Sequence, residues 1–292
     1  MARRRRGFPA TLVTLLRLVG CLLLAFLAAP PCAATQQVKT SHAQFAFHLP
    51  LPDGVTGAES LAFDSSNHGP YTGVSDGRVL RWGGAAAGWT TFAHHENYRW
   101  RNATVAGVED PDVHDAGGAG GGDGEHVRVH DRTGDLYIAD AYKGLMRVGP
   151  RGGEAEVLAA GADGVPFNFV NGIDVDQATG DVYFTDSSTT YPRRFNSEIM
   201  MNADSTARLL KYDAATKRVT VLRAGLPAGR GAAAAAAVAP PAKHLVGVRL
   251  DGDGVEVEEL TAAKGVTLSE VVERGGKLWL GSVELDFIGL MQ

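Results

Sequence analysis

The sequence predicts an all-β fold of short four-stranded sheets set around a common axis, a β-propeller, on three observations. Thr133-Gly134-Asp135-Leu136-Tyr137-Ile138-Ala139-Asp140 is echoed 46 residues on by Thr179-Gly180-Asp181-Val182-Tyr183-Phe184-Thr185-Asp186, and more weakly by Gly275-Gly276-Lys277-Leu278-Trp279-Leu280-Gly281-Ser282. Each copy is a Gly-centred turn, a run of β-branched and aromatic residues and a small polar ending, the pattern of a buried strand leaving a hairpin. The spacing is that of one blade per repeat. Finally, 37 glycines and 21% charged residues suit many turns rather than long helices.

Residues 1–34 read as a secretory signal peptide. Arg3 to Arg6 form a basic start, Thr11 to Ala29 is apolar apart from Arg17, and Cys32-Ala33-Ala34 offers small residues for cleavage after Pro30-Pro31. The same stretch, if retained, would be a membrane anchor, the one route to a membrane that the sequence offers. Removing its five arginines from the net charge of -5 leaves the remainder at roughly -10, which excludes a nucleic-acid-binding surface. Both cysteines, Cys21 and Cys32, also leave with it, so stability rests on burial alone. The domain then runs over 35–292. Asn102-Ala103-Thr104 is a glycosylation acceptor in a polar stretch, either used or silent.

The first blade opens at Gly57-Ala58-Glu59-Ser60-Leu61-Ala62-Phe63-Asp64 and continues over Pro70 to Trp82, where Asp76-Gly77 marks a hairpin turn. Residues 115–124 form a Gly-rich loop without periodicity, and order returns at Val127. Strands follow at Gly144–Val148 and Arg208–Asp213, and Thr216–Leu222 alternates as an outer strand. The Ala/Pro-rich junction at 228–242 has Gly before and Pro after its alanines, too little length for a stable helix. Strand character resumes at His244.

These phrases resemble the plant strictosidine synthase-like family, six-bladed propellers related to paraoxonase- and gluconolactonase-type hydrolases. The resemblance is carried by Gly57 to Asp64, Tyr137 to Leu145, Asp163-Gly164-Val165-Pro166-Phe167-Asn168-Phe169-Val170-Asn171-Gly172-Ile173-Asp174-Val175-Asp176, Tyr183 to Ser188, and Leu268 to Leu290. It implies a further stretch of roughly 70 to 80 residues where the 228–242 junction stands, so the ring here is expected to be incomplete, with about four blades' worth of sequence. It also implies a disulfide region that the Gly-rich loop replaces.

The family's synthases use a glutamate near the start of the last blade as acid and base. The alignment puts Ser269 at that position and Glu270 one residue on, so strand alternation turns Glu270 away from the place of the catalytic carboxylate. The related hydrolases hold an axial divalent cation, usually calcium, on one Glu, Asn or Asp per blade. Glu59 and Asn171 match two of those ligand positions, and calcium needs several more oxygens.

Other residues admit plainer roles. Asn171-Gly172 also reads as a turn, Asp140 and Asp186 as turn caps, His94-His95 as solvated surface, and Ser187-Ser188 lacks a nucleophile-elbow context. Three functions remain open for a small-molecule site in the secretory pathway, with vacuole, endomembrane lumen or extracellular space as destinations. They are metal-assisted ester or lactone hydrolysis, amine–aldehyde condensation of the strictosidine synthase type in alkaloid biosynthesis, and non-catalytic binding in the lumen.

Overall fold

The computed structural model describes residues 39–42, 45–95, 126–227, 245–250, 256–261 and 268–291. The signal segment, Asn102, the Gly-rich loop and the Ala/Pro-rich junction lie outside the described residues.

In chain order the strands are β1 (Lys39–His42), β2 (Phe47–Pro50), β3 (Tyr71–Gly73), β4 (Arg78–Trp82), β5 (Trp89–His94), β6 (His126–Val129), β7 (Leu136–Asp140) and β8 (Gly144–Val148). The short β9 (Gly153–Glu154), β10 (Glu156–Ala159), β11 (Gly161–Ala162) and β12 (Val165–Pro166) follow. Then come β13 (Val170–Val175), β14 (Val182–Asp186), a cap with a 3-10 turn (Arg193–Phe195) and helix α1 (Asn196–Met201), β15 (Ala207–Asp213) and β16 (Arg218–Leu226). β17 (Leu245–Leu250), β18 (Glu256–Thr261), β19 (Glu270–Arg274), β20 (Lys277–Gly281) and β21 (Phe287–Met291) complete the described set.

Four sheets have four strands. The first blade is β3-β4-β5-β9, the second β6-β7-β8-β10, the third β13-β14-β15-β16 and the closing blade β19-β20-β21-β2, beside a three-stranded sheet β1-β18-β17. The Gly57 to Asp64 phrase forms no full strand. It meets the first blade through a single bridge, Ala62 to Tyr71, on that blade's inner side. The closing blade takes its outer strand from the other end of the chain, with Phe47 opposite Leu290 and Pro50 opposite Phe287.

The repeated phrase explains itself in the backbone. Gly134 and Gly180 sit at φ +73° and +81°, a conformation that favours glycine, and each N–H closes a turn onto His130 or Asp176. The strands that follow, β7 and β14, are the second strands of their blades and place alternate side chains on opposite faces. Ile138 and Leu136 point to the first blade, in a cluster with Tyr71, Val79, Phe92, Val127 and Met146. Tyr137 and Ala139 point to the third, where Ile173, Val182, Phe184, Leu210 and Tyr212 complete a second cluster. A third cluster, Leu51, Leu61, Val74, Leu80 and Ile288, joins the first blade to the closing one. The opposite face of the third blade, with Tyr183, Leu209 and Lys211, is only half-buried. Among the described residues, four four-stranded blades pack side by side in the manner of a propeller.

Polar ends of the second strands fix the loops above them. Asp140 accepts hydrogen bonds from the N–H groups of Tyr142 and Lys143, and Ser282 accepts one from Glu284. Asp186, fully buried, accepts from Phe169 N–H at 2.9 Å and pairs with Arg208 at 2.6 Å, while Arg208 also donates to the Pro166 carbonyl. Removing one partner of such a pair strands a buried charge. Asp186→Ala is expected to lose about 3–5 kcal/mol of unfolding free energy in urea titration, a loss of under 1 kcal/mol being incompatible with this account.

Asp64 closes the turn before β3, accepting from Ser66 N–H, His68 N–H and the His68 ring at 2.9 Å each. Partial burial disfavours its charged form, but the hydrogen bonds and charge of His68 outweigh that, so the carboxyl is held below its usual range. A lowered carboxyl stabilises the fold above the unfolded-state value and loses that contribution as pH falls through the folded one. The stability gap between wild type and Asp64→Asn should therefore shrink as the pH falls below about 4.

Candidate functional site

The inner rim of the blades carries a connected set of polar side chains. Its first hub is Glu59, in the segment that runs inside the first blade. The closing blade presses on this segment through Gly281, where a side chain would come within 2.7 Å of the Ala58 carbonyl oxygen, and Ser282 N–H donates to that same carbonyl. Glu59 is buried, yet its two carboxylate oxygens face two different donors. His126 Nε2 lies 3.2 Å from Oε1, and Arg193 Nη2 donates to Oε2 at 3.2 Å. His126 begins the inner strand of the second blade, and Arg193 comes from the 3-10 turn of the third blade's cap, where it also lies over the Phe169 ring. The cap is anchored by Ile199, packed with Ala141, Phe169 and Ala207.

The second hub is Arg128, two residues along β6 from His126 and on the same face. Its guanidinium pairs with Glu270 of the closing blade and donates to Ser60 Oγ at 3.3 Å and the Val127 carbonyl at 2.9 Å. Asp174, on β13, lies 3.8 Å from its Nε and is largely exposed. Glu270 is completed by the Leu61 N–H, which donates to Oε2 at 2.6 Å. Ser60 in turn accepts from Val127 N–H at 3.1 Å. The two hubs thus draw on all four blades.

The sequence-expected residues fare differently. Ser269 spends its hydroxyl on backbone, accepting from Val283 N–H at 3.1 Å, while its own N–H donates to Gly281 O. Alternation separates Ser269 from Glu270 as expected, and Glu270 is the one that reaches the neighbouring blades. The cause is the sheet's facing, because Glu270 shares its side of β19 with Val272, which packs toward the first blade. Asn171 is the second residue of β13, the strand packed beside β6, and its Oδ1 is buried without a hydrogen-bond partner. Ser188 is a turn former, accepting from Thr190 and Tyr191 N–H groups.

His126, Arg128 and Arg193 were not singled out from sequence. The alternation His126-Val127-Arg128-Val129, with both valines buried, was a usable signal that the two basic residues share one face. Nothing local marks Arg193, whose partner lies 134 residues away.

Calcium takes six to eight oxygen ligands. Glu59 and Asn171 supply too few, the Glu59 oxygens already face an imidazole and a guanidinium, and no group of three or more His, Cys, Asp or Glu side chains among the described residues is placed to hold a metal. The described residues do not fit a calcium ion.

Fold and rim together define a propeller-type protein whose inner edge carries a connected set of polar and charged side chains. Residues 171–248 match the family model for strictosidine synthase. The chain is 44% identical over 180 residues to the Arabidopsis thaliana protein strictosidine synthase-like 10, covering 62% of this chain and 46% of that protein. It is 43% identical over 184 residues to strictosidine synthase-like 13 of the same plant, covering 61% and 44%. Among solved structures, a gluconolactonase from Xanthomonas campestris superimposes with a TM-score of 0.49 at 11% identity, over 85% of this chain and 90% of that one. The chain is thus similar to strictosidine synthase-like proteins and spans about half the length of the curated relatives it matches.

The hub geometry ranks two substitutions. Glu270→Gln removes a charge from the Arg128 pair and should cost about 1–3 kcal/mol in urea titration, whereas Ser269→Ala loses one ordinary hydrogen bond, about 1 kcal/mol. The opposite ranking would contradict the facing assigned to β19.

Proposed function

We propose that the inner rim is a substrate site and that its chemistry is hydrolysis of an ester or lactone carbonyl in a small molecule. One observation carries the reading: a single buried carboxylate, Glu59, shared by His126 and Arg193 at 3.2 Å each. A carboxylate has no hydrogen to give, so the His126 nitrogen beside it must carry one, which leaves Nδ1 as the basic nitrogen. Water then adds through oxygen to the carbonyl carbon and gives its proton to Nδ1. The tetrahedral intermediate collapses, its carbon–oxygen bond to the leaving group breaks, and the proton passes to that alkoxide. Arg193 supplies fixed positive charge for the oxygen that becomes negative. In this reading the chain reaches the secretory pathway through residues 1–34 and meets its substrate in the vacuole, endomembrane lumen or extracellular space.

Glu270 gives a second reading some footing, because a carboxylate at the rim is what amine–aldehyde condensation asks for. Its bonds to Arg128 and Leu61 N–H favour a structural role. The test is turnover of a panel of aryl esters and lactones beside an arylethylamine–aldehyde mixture. His126→Asn should lower kcat/KM for hydrolysis about 10²–10⁴-fold, and Glu270→Gln should not. Condensation product that disappears in Glu270→Gln would overturn the hydrolytic reading. A folded chain with neither activity would make it a binding protein.

A further inference from the structure

The rim holds a cation, and it is a side chain. We propose that the Arg193 guanidinium is the resident counter-ion of Glu59, standing in for a bound metal ion, so that this chain neither needs nor binds calcium there. Glu59 is an inner-rim carboxylate with a 10% exposed side chain, and a buried carboxylate requires a paired charge. Arg193 provides it from a side chain only 13% exposed, at 3.2 Å. The route of the chain makes the substitution possible. The cap between β14 and β15 extends over the rim, Ile199 pins its helix, and Phe169 lies under the guanidinium at 5.5 Å.

The consequences are electrostatic and mechanical. A metal at this point would face the guanidinium at close range, and like charges in a low-dielectric rim repel strongly. A covalently attached guanidinium, unlike a bound metal ion, is not removed by chelators. It also ties three blades together: Glu59 belongs to the first, His126 to the second and Arg193 to the cap of the third.

This inference stands independently of the hydrolytic reading, since it concerns ion binding and stability rather than turnover. The test is thermal unfolding of the full chain with calcium chloride from zero to 10 mM, against EDTA, for wild type, Arg193→Met and Arg193→Lys. The wild type should show no calcium-dependent shift. Arg193→Met should lose several degrees and regain part of that loss as calcium rises, because Glu59 is left with His126 alone, and Arg193→Lys should stay near wild type in both respects. A wild-type midpoint that climbs steadily with calcium would overturn the proposal. So would an Arg193→Met variant with unchanged stability and no response to calcium. If Arg193→Met does not fold, the wild-type and Arg193→Lys titrations still decide between a guanidinium and a metal.

Discussion

A blade has two faces, and each needs cover from a neighbour. That constraint governs the molecule, because a short twisted sheet buries enough apolar surface only when both sides are packed. The second blade shows it most fully: Leu136, Ile138 and Met146 go to one neighbour, Tyr137, Ala139 and Leu145 to the other. Radial packing crowds the inner strands, and their alternation brings His126, Arg128 and Glu270 to the rim, where they pair with opposite charges and with backbone and hydroxyl groups of neighbouring blades. The polar rim is therefore a product of the same alternation that builds the apolar interfaces. It also supplies what apolar packing lacks, directional bonds that fix each blade's height relative to the next, as Ser60 does with Val127.

Much of the blade architecture was legible because it is local. The repeated Thr-Gly-Asp turns, the Asp76-Gly77 hairpin and the alternating runs of β7, β14 and β20 are each decided within ten residues. The strand pairings across large separations were not. β2 completes the closing blade, and β9 joins the first blade's outer edge in parallel to β5, with Ala93 opposite Gly153, although neither short segment has a distinctive pattern. The Gly57 to Asp64 phrase misled in the other direction: it reads as a strand, yet most of its backbone groups bond to the closing blade, to Glu270 and to turns.

The site was half legible for the same reason. Glu59 and Asn171 stand in phrases that the family shares, so resemblance marked them. Their environment depends on residues brought together from the second, third and closing blades, which only the fold supplies. Ser269 and Glu270 show how narrow the margin is. A one-residue offset in a strand exchanges a backbone-bonded hydroxyl for a carboxylate reaching two other sheets, and sequence alone could state the alternation without saying which side faces the axis.

The borrowed outer strand of the closing blade has an effect on the order of assembly. β2 leaves the ribosome early, but its partner β21 is made about 240 residues later. The first three blades hold all of their strands within residues 58–226 and can fold as the polypeptide lengthens. β2 must wait, its backbone edge unpaired, until β21 is made. Until that pairing forms, the open edge of β2 is a place where the growing chain can mispair.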